Sequence, residues 1–314
     1  MNQIKEDIIL GKRGNERLVW VDWAKALAIV MMVLGHGTAP AIIIKYVYAF
    51  HMPAFFIISG YLYRPKSFHK VLKSFGIPIL VFGFINYLFS FYVNLRAEGD
   101  SMLSFKTLLL IPLSFPGFWF IRTLFLARVI SGDIIKKKYD LFIPILAVLS
   151  ILTIICIEIG VINDLPRWLF DLVHSYPFFV IGFLMKKYKY SITQKPFLLI
   201  IETLFFLVVP CLFNKFDLGE HQFGPSYFIF MSLSVSSSLL FFNVCSILPQ
   251  YKIVALLSEG TLVVLGVHRI CMRCFYQLYK YLPLEWILSL ATVTILSWQL
   301  IILCKKKFPI LMGK

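Results

Sequence analysis

Long apolar stretches separated by short polar segments dominate this chain. Ten of these stretches are close to the ~20 residues that an α-helix needs to cross a bilayer. They cover approximately 18–38, 46–63, 74–95, 115–133, 141–161, 167–185, 196–213, 225–247, 253–278 and 284–304. A further segment, 101–116, is predicted to be a re-entrant or surface piece. The pattern predicts an all-α fold, a polytopic transmembrane bundle of about ten helices.

The basic residues between these stretches predict the orientation of the bundle. If the N-terminus is cytoplasmic, twenty of the 31 Lys and Arg residues fall on the cytoplasmic side, six outside and the remaining five within the spans. Such an excess of inside charge predicts an even number of spans with both termini in the cytoplasm. The predicted parts are a cytoplasmic N-terminal segment (1–17), a membrane domain (18–304) and a basic cytoplasmic tail (305–314).

Composition excludes most other classes of protein. The chain is 59% hydrophobic and 15% charged, with a mean hydropathy of +0.82, against about 45–50% and 25% for soluble domains. The net charge of +15 could suggest nucleic-acid binding, but the basic residues recur in short clusters and do not form one patch. We therefore predict a multi-pass protein of the inner (cytoplasmic) cell membrane and no nucleic-acid partner.

Two alternative interpretations of local patterns are disfavoured. Arg17, the apolar run after it and the Ala-Pro-Ala at 39–41 imitate a signal peptide, but a cleaved signal tolerates charges such as Asp22 and Lys25 poorly. Cys271 and Cys274 form a CxxC pair after His268, yet no second pair of metal ligands exists. We predict a mature first helix, no metal and no disulfide framework.

The first span carries three ionisable residues, which are costly within a membrane and therefore mark candidate sites. His36 lies eleven positions after Lys25, so at 100° per residue the two share a helix face, about 16.5 Å apart along the axis. Asp22 lies three residues before Lys25 and can neutralise it. The alternative is a structural ion pair with an interfacial histidine.

The second span adds a second imidazole. A short loop joins the two helices, which predicts His36 and His51 at similar depth, with Ser59 and Tyr61 completing a polar seam. Histidine is the natural proton acceptor near neutral pH. The arrangement indicates acid–base chemistry within the first helix hairpin.

Basic residues follow this hairpin on the predicted cytoplasmic side. They are Arg64, Lys66, Lys70 and Lys73, and the last two are spaced to share a helix face. They are either ordinary membrane anchors or a clamp for a phosphorylated ligand. The sequence has no glycine-rich phosphate loop, which disfavours a nucleoside triphosphate or dinucleotide site.

Two later positions are weaker candidates. Arg122 lies within a predicted span, and His268 follows Ser258, Thr261 and Leu265 on one predicted helix face. Each of these alone is more often a packing or anchoring residue than a catalytic one.

The motifs of the first hairpin resemble the integral-membrane acyltransferase-3 family. The matching stretches are RLVWVDWAKALAIVMMVLGHG (17–37) and FHMPAFFIISGYL (50–62). Within the family, the similarity is greatest to sugar O-acetyltransferases such as fucose 4-O-acetylase. The family's basic residue, histidine and preceding aspartate correspond to Lys25, His36 and Asp22.

Other parts of the family pattern match less closely. Its second motif corresponds to the stretch from His51 to Tyr61, and its paired basic residues correspond to Lys70 and Lys73, where arginine is common. The sequence departs from the pattern at Arg122, where an apolar residue is usual, and at Leu265, where a tyrosine is usual.

The resemblance implies an enzyme that moves an acyl group, usually acetyl, from cytosolic acetyl-CoA to a hydroxyl of a cell-surface polysaccharide or its lipid-linked precursor. Its partners would be acyl-CoA, the glycan, membrane lipid and polysaccharide-assembly proteins. We expect a catalytic set of His36, His51, Lys25 and Asp22. We expect acyl-CoA to contact Lys70, Lys73, Arg64 and Arg122. On the acceptor side we expect Ser59, Tyr61 and His268.

This hypothesis requires Lys25 and His36 to face one dry tunnel between the cytosolic thioester and the sugar hydroxyl. Two other function classes remain open. A secondary transporter or flippase of a glycan precursor fits the helix number, although no inverted repeat is evident. A non-catalytic scaffold in a polysaccharide-assembly complex would tolerate substitution of Lys25 and His36.

Overall fold

The computed structural model describes residues 18–98, 118–132, 142–193, 195–213 and 215–314. The predicted cytoplasmic segment 1–17, the predicted re-entrant piece 101–116 and the lysine cluster at 136–138 lie outside these residues.

Helices make up nearly all of the ordered elements in the described residues. The helices are α1 (Val19–Gly35), α2 (Ala41–Tyr48), α3 (His51–Tyr61), α4 (Phe68–Val71), a π-helical turn (Leu72–Gly76), α5 (Ile77–Glu98), α6 (Trp119–Gly132), α7 (Phe142–Glu158), α8 (Arg167–Lys187), α9 (Pro196–Leu212), α10 (Tyr227–Ser246), α11 (Lys252–Glu259), α12 (Thr261–Tyr279), α13 (Glu285–Lys307) and a 3₁₀ turn (Pro309–Met312). One antiparallel hairpin, β1 (Phe216–Asp217) and β2 (Gln222–Phe223), precedes α10.

Each of the ten predicted apolar segments contains helix, and five helices in the described residues are long and apolar enough to cross a membrane. These five cover Ala41–Tyr61, Phe68–Val93, Arg167–Lys187, Tyr227–Ser246 and Glu285–Lys307. The bent pair α11 and α12 makes a sixth if it counts as one span, whereas α7 and α9 are shorter apolar helices. The all-helical membrane fold is confirmed, but ten crossings are not.

The helix predicted over 253–278 is broken, which corrects the expectation of one continuous face there. α11 and α12 meet at Gly260 with a bend of 79°. A Cβ atom at Gly260 would overlap the side chain of Ile301 in α13, so only glycine lets the bend pack there. Ser258 therefore lies on a different helix from Thr261, Leu265 and His268.

Helix α1 lies at the centre of the bundle and packs against α3, α10, α11, α12 and α13. Its alanines, among them Ala24 and Ala28, are fully buried, because small side chains allow the neighbouring helices to approach closely. The central position of α1 brings its polar residues into contact with several other helices.

The closest helix pair is α3 and α8. A Cβ atom at Gly60 would overlap the carbonyl of Phe179, and one at Gly182 would overlap the carbonyl of Ile57. The two glycines thus allow backbone-to-backbone contact, the usual means by which small residues join membrane helices.

The bundle has two chemically different ends. We call the end with Lys66, Lys186, Lys252 and Lys305 the basic end. The opposite end, with His36, His51 and the β-hairpin, is the histidine end. Helix α1 runs from the first to the second, with Lys25 in its first half and His36 directly after its last residue.

Candidate active site

Lys25 and Asp22 meet at one buried serine near the basic end. The Lys25 ammonium donates to the backbone carbonyl of Ser258 at 2.6 Å, and the Ser258 hydroxyl donates to Asp22 Oδ1 at 2.7 Å. Ser258 is 2% exposed and Asp22 8%. Asp22 and Lys25, which we predicted to be neighbours on α1, thus both bond to Ser258, more than two hundred positions later in the chain.

The break between α11 and α12 explains this contact. Ser258 lies in the last turn of α11, where backbone carbonyls have no partner within the helix. The ammonium of Lys25 satisfies one of them, and a cation is electrostatically favoured at a helix C-terminus. The bend at Gly260 therefore creates the acceptor that holds Lys25.

A cavity of about 230 Å³ opens beside Lys25 at the basic end, and we call it the basic-end cavity. Three cationic side chains line it, those of Lys25, Lys66 and Arg128, together with Ser59 and Glu259. Arg128 is half-buried, donates to the Ser59 carbonyl at 3.3 Å, and its Nε has no hydrogen-bond partner among the described residues. The cavity therefore suits an anionic or strongly polar guest.

The other basic residues that we expected here lie differently. Arg64, Lys70 and Lys73 are exposed and do not line the basic-end cavity. The π-helical turn begins between Lys70 and Lys73 and changes the regular helical spacing on which their common face was predicted. Instead, Lys66 and Arg128 line the cavity, where we had expected Arg64, Lys70 and Lys73.

Aromatic and imidazole rings form a chain at the histidine end. His36 stacks on His268 with ring centroids 5.1 Å apart, and Tyr48 lies edge-on to both His36 at 6.4 Å and His51 at 5.2 Å. The Tyr48 hydroxyl donates to the carbonyl of Gly35 at 3.1 Å. His36 and His51, which we predicted to be neighbours, are therefore separated by Tyr48. The imidazole that stacks on His36 is that of His268.

Hydrogen bonds to the backbone fix the tautomers of two of these rings. Nδ1 of His268 lies 2.9 Å from the Leu265 carbonyl, and Nδ1 of His51 lies 2.7 Å from the Val47 carbonyl. Because a carbonyl only accepts, Nδ1 carries the proton in both rings and Nε2 retains the lone pair. Nε2 of His268 is buried with no hydrogen-bond partner among the described residues.

Ser59 and Tyr61 lie away from these rings. Both belong to the last turns of α3, toward the basic end; Ser59 lines the basic-end cavity, and the half-buried Tyr61 packs edge-on to Trp20 at 5.1 Å. Of the three residues expected on the acceptor side, only His268 lies with His36.

Lys25 and His36 face different cavities, contrary to the expected common tunnel. His36 lines a cavity of about 450 Å³ together with Met272, Arg273 and Tyr276, which we call the histidine-end cavity. Of the cavities in the part of the chain that the structure describes, Lys25 and Ile29 line the basic-end cavity and not the one at His36. The buried Met32 lies on the same face of α1, at a position between Ile29 and His36, and lines neither cavity.

Arg122 belongs to a third polar group. Its guanidinium bonds to Asp171 Oδ2 at 2.7 Å, and His221 Nε2 lies 2.7 Å from Asp171 Oδ1. The Asp171 side chain is fully buried, and a buried carboxylate requires such partners. Arg122 thus joins α6 to α8 and to the β-hairpin, and it does not line the basic-end cavity.

A further cavity of about 600 Å³ lies between the β-hairpin and α2, and we call it the hairpin cavity. Gly35 and Tyr48 line its inner part, and Lys45, Lys215, Asp217 and Gln222 supply polar groups. Burial raises the pKa of the Asp217 carboxyl, while the N–H groups of Gly219 and Glu220 oppose the shift.

Several of these residues escaped the sequence analysis. Arg128 carried the same signal as Arg122, an ionisable group inside an apolar span, and could have been selected by it. Asp171 carried it too, within the predicted span 167–185, whereas Tyr48 and His221 gave no such signal, because their roles arise from contacts between distant segments. Among the described residues, no three His, Cys, Asp or Glu side chains converge as metal ligands would.

Comparison with known proteins identifies the family. The profile of the Acyltransferase domain family, acyltransferase-3, matches residues 18–303, which is nearly the whole chain. No significant match was found among the curated proteins or among the solved structures. The match includes all of the helices that carry the two cavities, the lysine and the histidines. The chain therefore belongs to the acyltransferase-3 family of multi-pass membrane acyltransferases.

Proposed function

We propose that the protein is an O-acetyltransferase that moves an acetyl group from cytosolic acetyl-CoA to a hydroxyl of a cell-surface polysaccharide or its lipid-linked precursor. One observation carries this proposal: α1 has a cation-lined cavity beside Lys25 near one end and the stacked imidazoles of His36 and His268 at the other. A polyanionic donor and a hydroxyl acceptor need these two different environments.

The basic-end cavity is the proposed entry for acetyl-CoA. The phosphates of coenzyme A would bind Arg128 and Lys66, because guanidinium and ammonium groups form strong charge-assisted hydrogen bonds with phosphate. Arg64, Lys70 and Lys73, exposed at the same end, would raise the local concentration of the anionic donor. Lys25 would then hold the pantetheine arm, while the thioester extends toward His36.

The imidazoles would carry out the transfer. His36 accepts the proton of the sugar hydroxyl while the hydroxyl oxygen attacks the thioester carbonyl carbon. The carbon–sulfur bond then breaks, and the departing thiolate takes the proton from His36, giving the O-acetyl sugar and free coenzyme A. His268, stacked on His36 with a free Nε2, would orient the hydroxyl, and His51 would act through Tyr48.

This reaction requires the two cavities to join. On α1, Ile29 lines the basic-end cavity and His36 the histidine-end cavity, so the buried Met32, one turn before His36, is the side chain that we propose must move for them to join. Entry of the flexible pantetheine arm would displace the Met32 side chain, which is unbranched and adapts readily.

The full topology is part of the same proposal. Ten crossings with both termini in the cytoplasm would place the basic end on the cytosolic side of the inner membrane. Cytosolic acetyl-CoA could then reach the basic-end cavity directly. The histidine end would then face the compartment in which the glycan is modified.

Replacing His36 tests the catalytic role directly. We expect His36→Ala to reduce transfer of labelled acetyl from acetyl-CoA to the surface glycan by about 10²- to 10⁴-fold, the usual contribution of a general base. His69→Ala is the matched control, because His69 is exposed on α4 and lines none of the three cavities. Full activity of His36→Ala at normal expression would exclude His36 as the base.

The competing functions give different results in the same assay. A flippase would move the glycan precursor without transferring label from acetyl-CoA, and a scaffold would tolerate both His36→Ala and Lys25→Ala. Purified protein that transfers no label to any glycan acceptor would therefore refute the acetyltransferase proposal.

A further inference from the structure

The hairpin cavity has the features of a ligand site and adjoins the imidazoles. Its volume of about 600 Å³ lies within the range of about 300–1,000 Å³ usual for small-molecule sites. Gly35, which directly precedes His36, and Tyr48, whose ring contacts both His36 and His51, line its inner part. A molecule bound there would extend one end toward the proposed catalytic base.

The polar groups of the cavity are suited to sugar hydroxyls. Asp217 Oδ1 accepts from the backbone N–H groups of Gly219 at 2.8 Å and Glu220 at 3.2 Å, so the hairpin turn fixes the orientation of the carboxylate. Oδ2 has no hydrogen-bond partner among the described residues, and it can accept from a ligand. Gln222, paired with Asp217 across the two strands, offers both a donor and an acceptor.

The charge of the cavity points to an anionic ligand. Two ammonium groups, Lys45 from α2 and Lys215 just before β1, face one carboxylate, Asp217, among the residues that line it. Lys45 is half-buried, and a cation removed from water needs a counter-charge. Among the lining residues the positive charges outnumber the negative ones by one, which favours a ligand with one negative charge over a neutral one. Glu220 is close enough to act on Asp217, but it pairs with Arg167 at 3.7 Å and does not line the cavity.

We propose that the hairpin cavity binds a sugar unit of the acceptor that carries a negative charge, either a carboxylate or a phosphate. Asp217 and Gln222 bind its hydroxyl groups, and Lys45 and Lys215 bind its anionic group. The ligand's identity as acceptor rests on the proposed acetyltransferase function, and the site would select which glycan is modified.

Binding of simple sugars by the purified full-length protein, measured by saturation-transfer NMR without acyl donor, tests this site. The probes are methyl glucoside, methyl glucuronide and glucose 1-phosphate, so the last two separate a carboxylate from a phosphate. We expect at least one charged probe to bind about tenfold more tightly than the neutral probe, as one charge-assisted hydrogen bond would give.

Substitutions then locate the binding. Lys45→Gln and Lys215→Gln should each reduce the preference for the charged probe, while Lys215→Arg should retain it. Asp217→Asn should weaken the neutral probe about tenfold, because it removes the charged acceptor of the hydroxyls. For the charged probes the loss of this negative charge acts in the opposite direction, so their preference over the neutral probe should increase. The matched controls are Asp164→Asn, which lies in an exposed loop at the histidine end, and Lys195→Gln, which is exposed at the basic end.

The outcomes separate this inference from the proposed function. Equal binding of the three probes, no binding of any probe, or equal weakening by the control variants would overturn the site. Charged-sugar binding that depends on Lys45 and Lys215, in a protein that transfers no acetyl group, would instead refute the acetyltransferase proposal. Acetyl transfer unaffected by Asp217→Asn, with no probe bound, would refute only the site.

Discussion

Single residues carry contacts that link segments far apart in the sequence, and Lys25 is the clearest case. Its ammonium donates to the Ser258 carbonyl, and its side chain also lines the basic-end cavity. A structural role and a role in binding acyl-CoA are therefore both physically reasonable. They differ in what a substitution should change.

Lys25→Met separates the two roles. We expect it to raise the acetyl-CoA concentration needed for half-maximal transfer about tenfold or more, because a charge-assisted hydrogen bond contributes about 1.5–3 kcal/mol. Ser258→Ala is the comparison, since it removes the bond to Asp22 and keeps the carbonyl that Lys25 contacts. If both variants lower thermal stability equally and leave the acetyl-CoA dependence unchanged, Lys25 is structural.

The sequence could predict those residue-scale features that depend on one helix. Its spacing placed Asp22, Lys25 and His36 together because α1 is regular from Val19 to Gly35. The partners Ser258 and His268 join them only through tertiary packing. Their positions depend on the bend at Gly260, which a hydropathy pattern cannot reveal because α11 and α12 are both apolar.

At the scale of elements, the crossing of α3 and α8 determines where the two halves of the site lie. Helix α3 has His51 at its start and Ser59 near its end, so its tilt fixes the relation of the histidine end to the basic-end cavity. The arrangement depends on the contact of Gly60 and Gly182 with the facing backbone.

Gly60→Ala and Gly182→Ala test this crossing. Because each added Cβ would meet backbone and not a flexible side chain, we expect each variant to lose about 1–3 kcal/mol of stability, seen as a lower unfolding temperature in detergent. Gly132→Ala is the control, since its nearest contact, the Lys66 carbonyl, is 3.4 Å away, an ordinary van der Waals distance. If all three variants unfold at the same temperature, the α3–α8 contact is looser than described.

For the molecule as a whole, contacts at the ends of the helices are compatible with the proposed ten crossings. Trp23 bonds to Pro249 and Lys305 to Glu259 at the basic end, while Arg167 bonds to Gly219 at the histidine end. Each contact joins segments that the alternating topology assigns to the same side. The shorter apolar helices α7 and α9 can still cross the membrane. About 17 apolar residues suffice where the bilayer is locally thin or where flanking residues reach the interface.

Cysteine labelling in intact cells tests this topology. Lys189 and Tyr281 are both exposed and lie in loops that ten crossings place on opposite sides. We expect Tyr281→Cys to react with a membrane-impermeant maleimide from outside, and Lys189→Cys to react only after the membrane is opened. The unsubstituted chain, with its six cysteines, gives the background. Labelling of both positions from outside would require an even number of crossings between them, whereas the ten-crossing topology places three there, namely α9, α10 and the α11–α12 pair. One of these three would then have to lie within the membrane without spanning it, and the ten-crossing topology would be refuted.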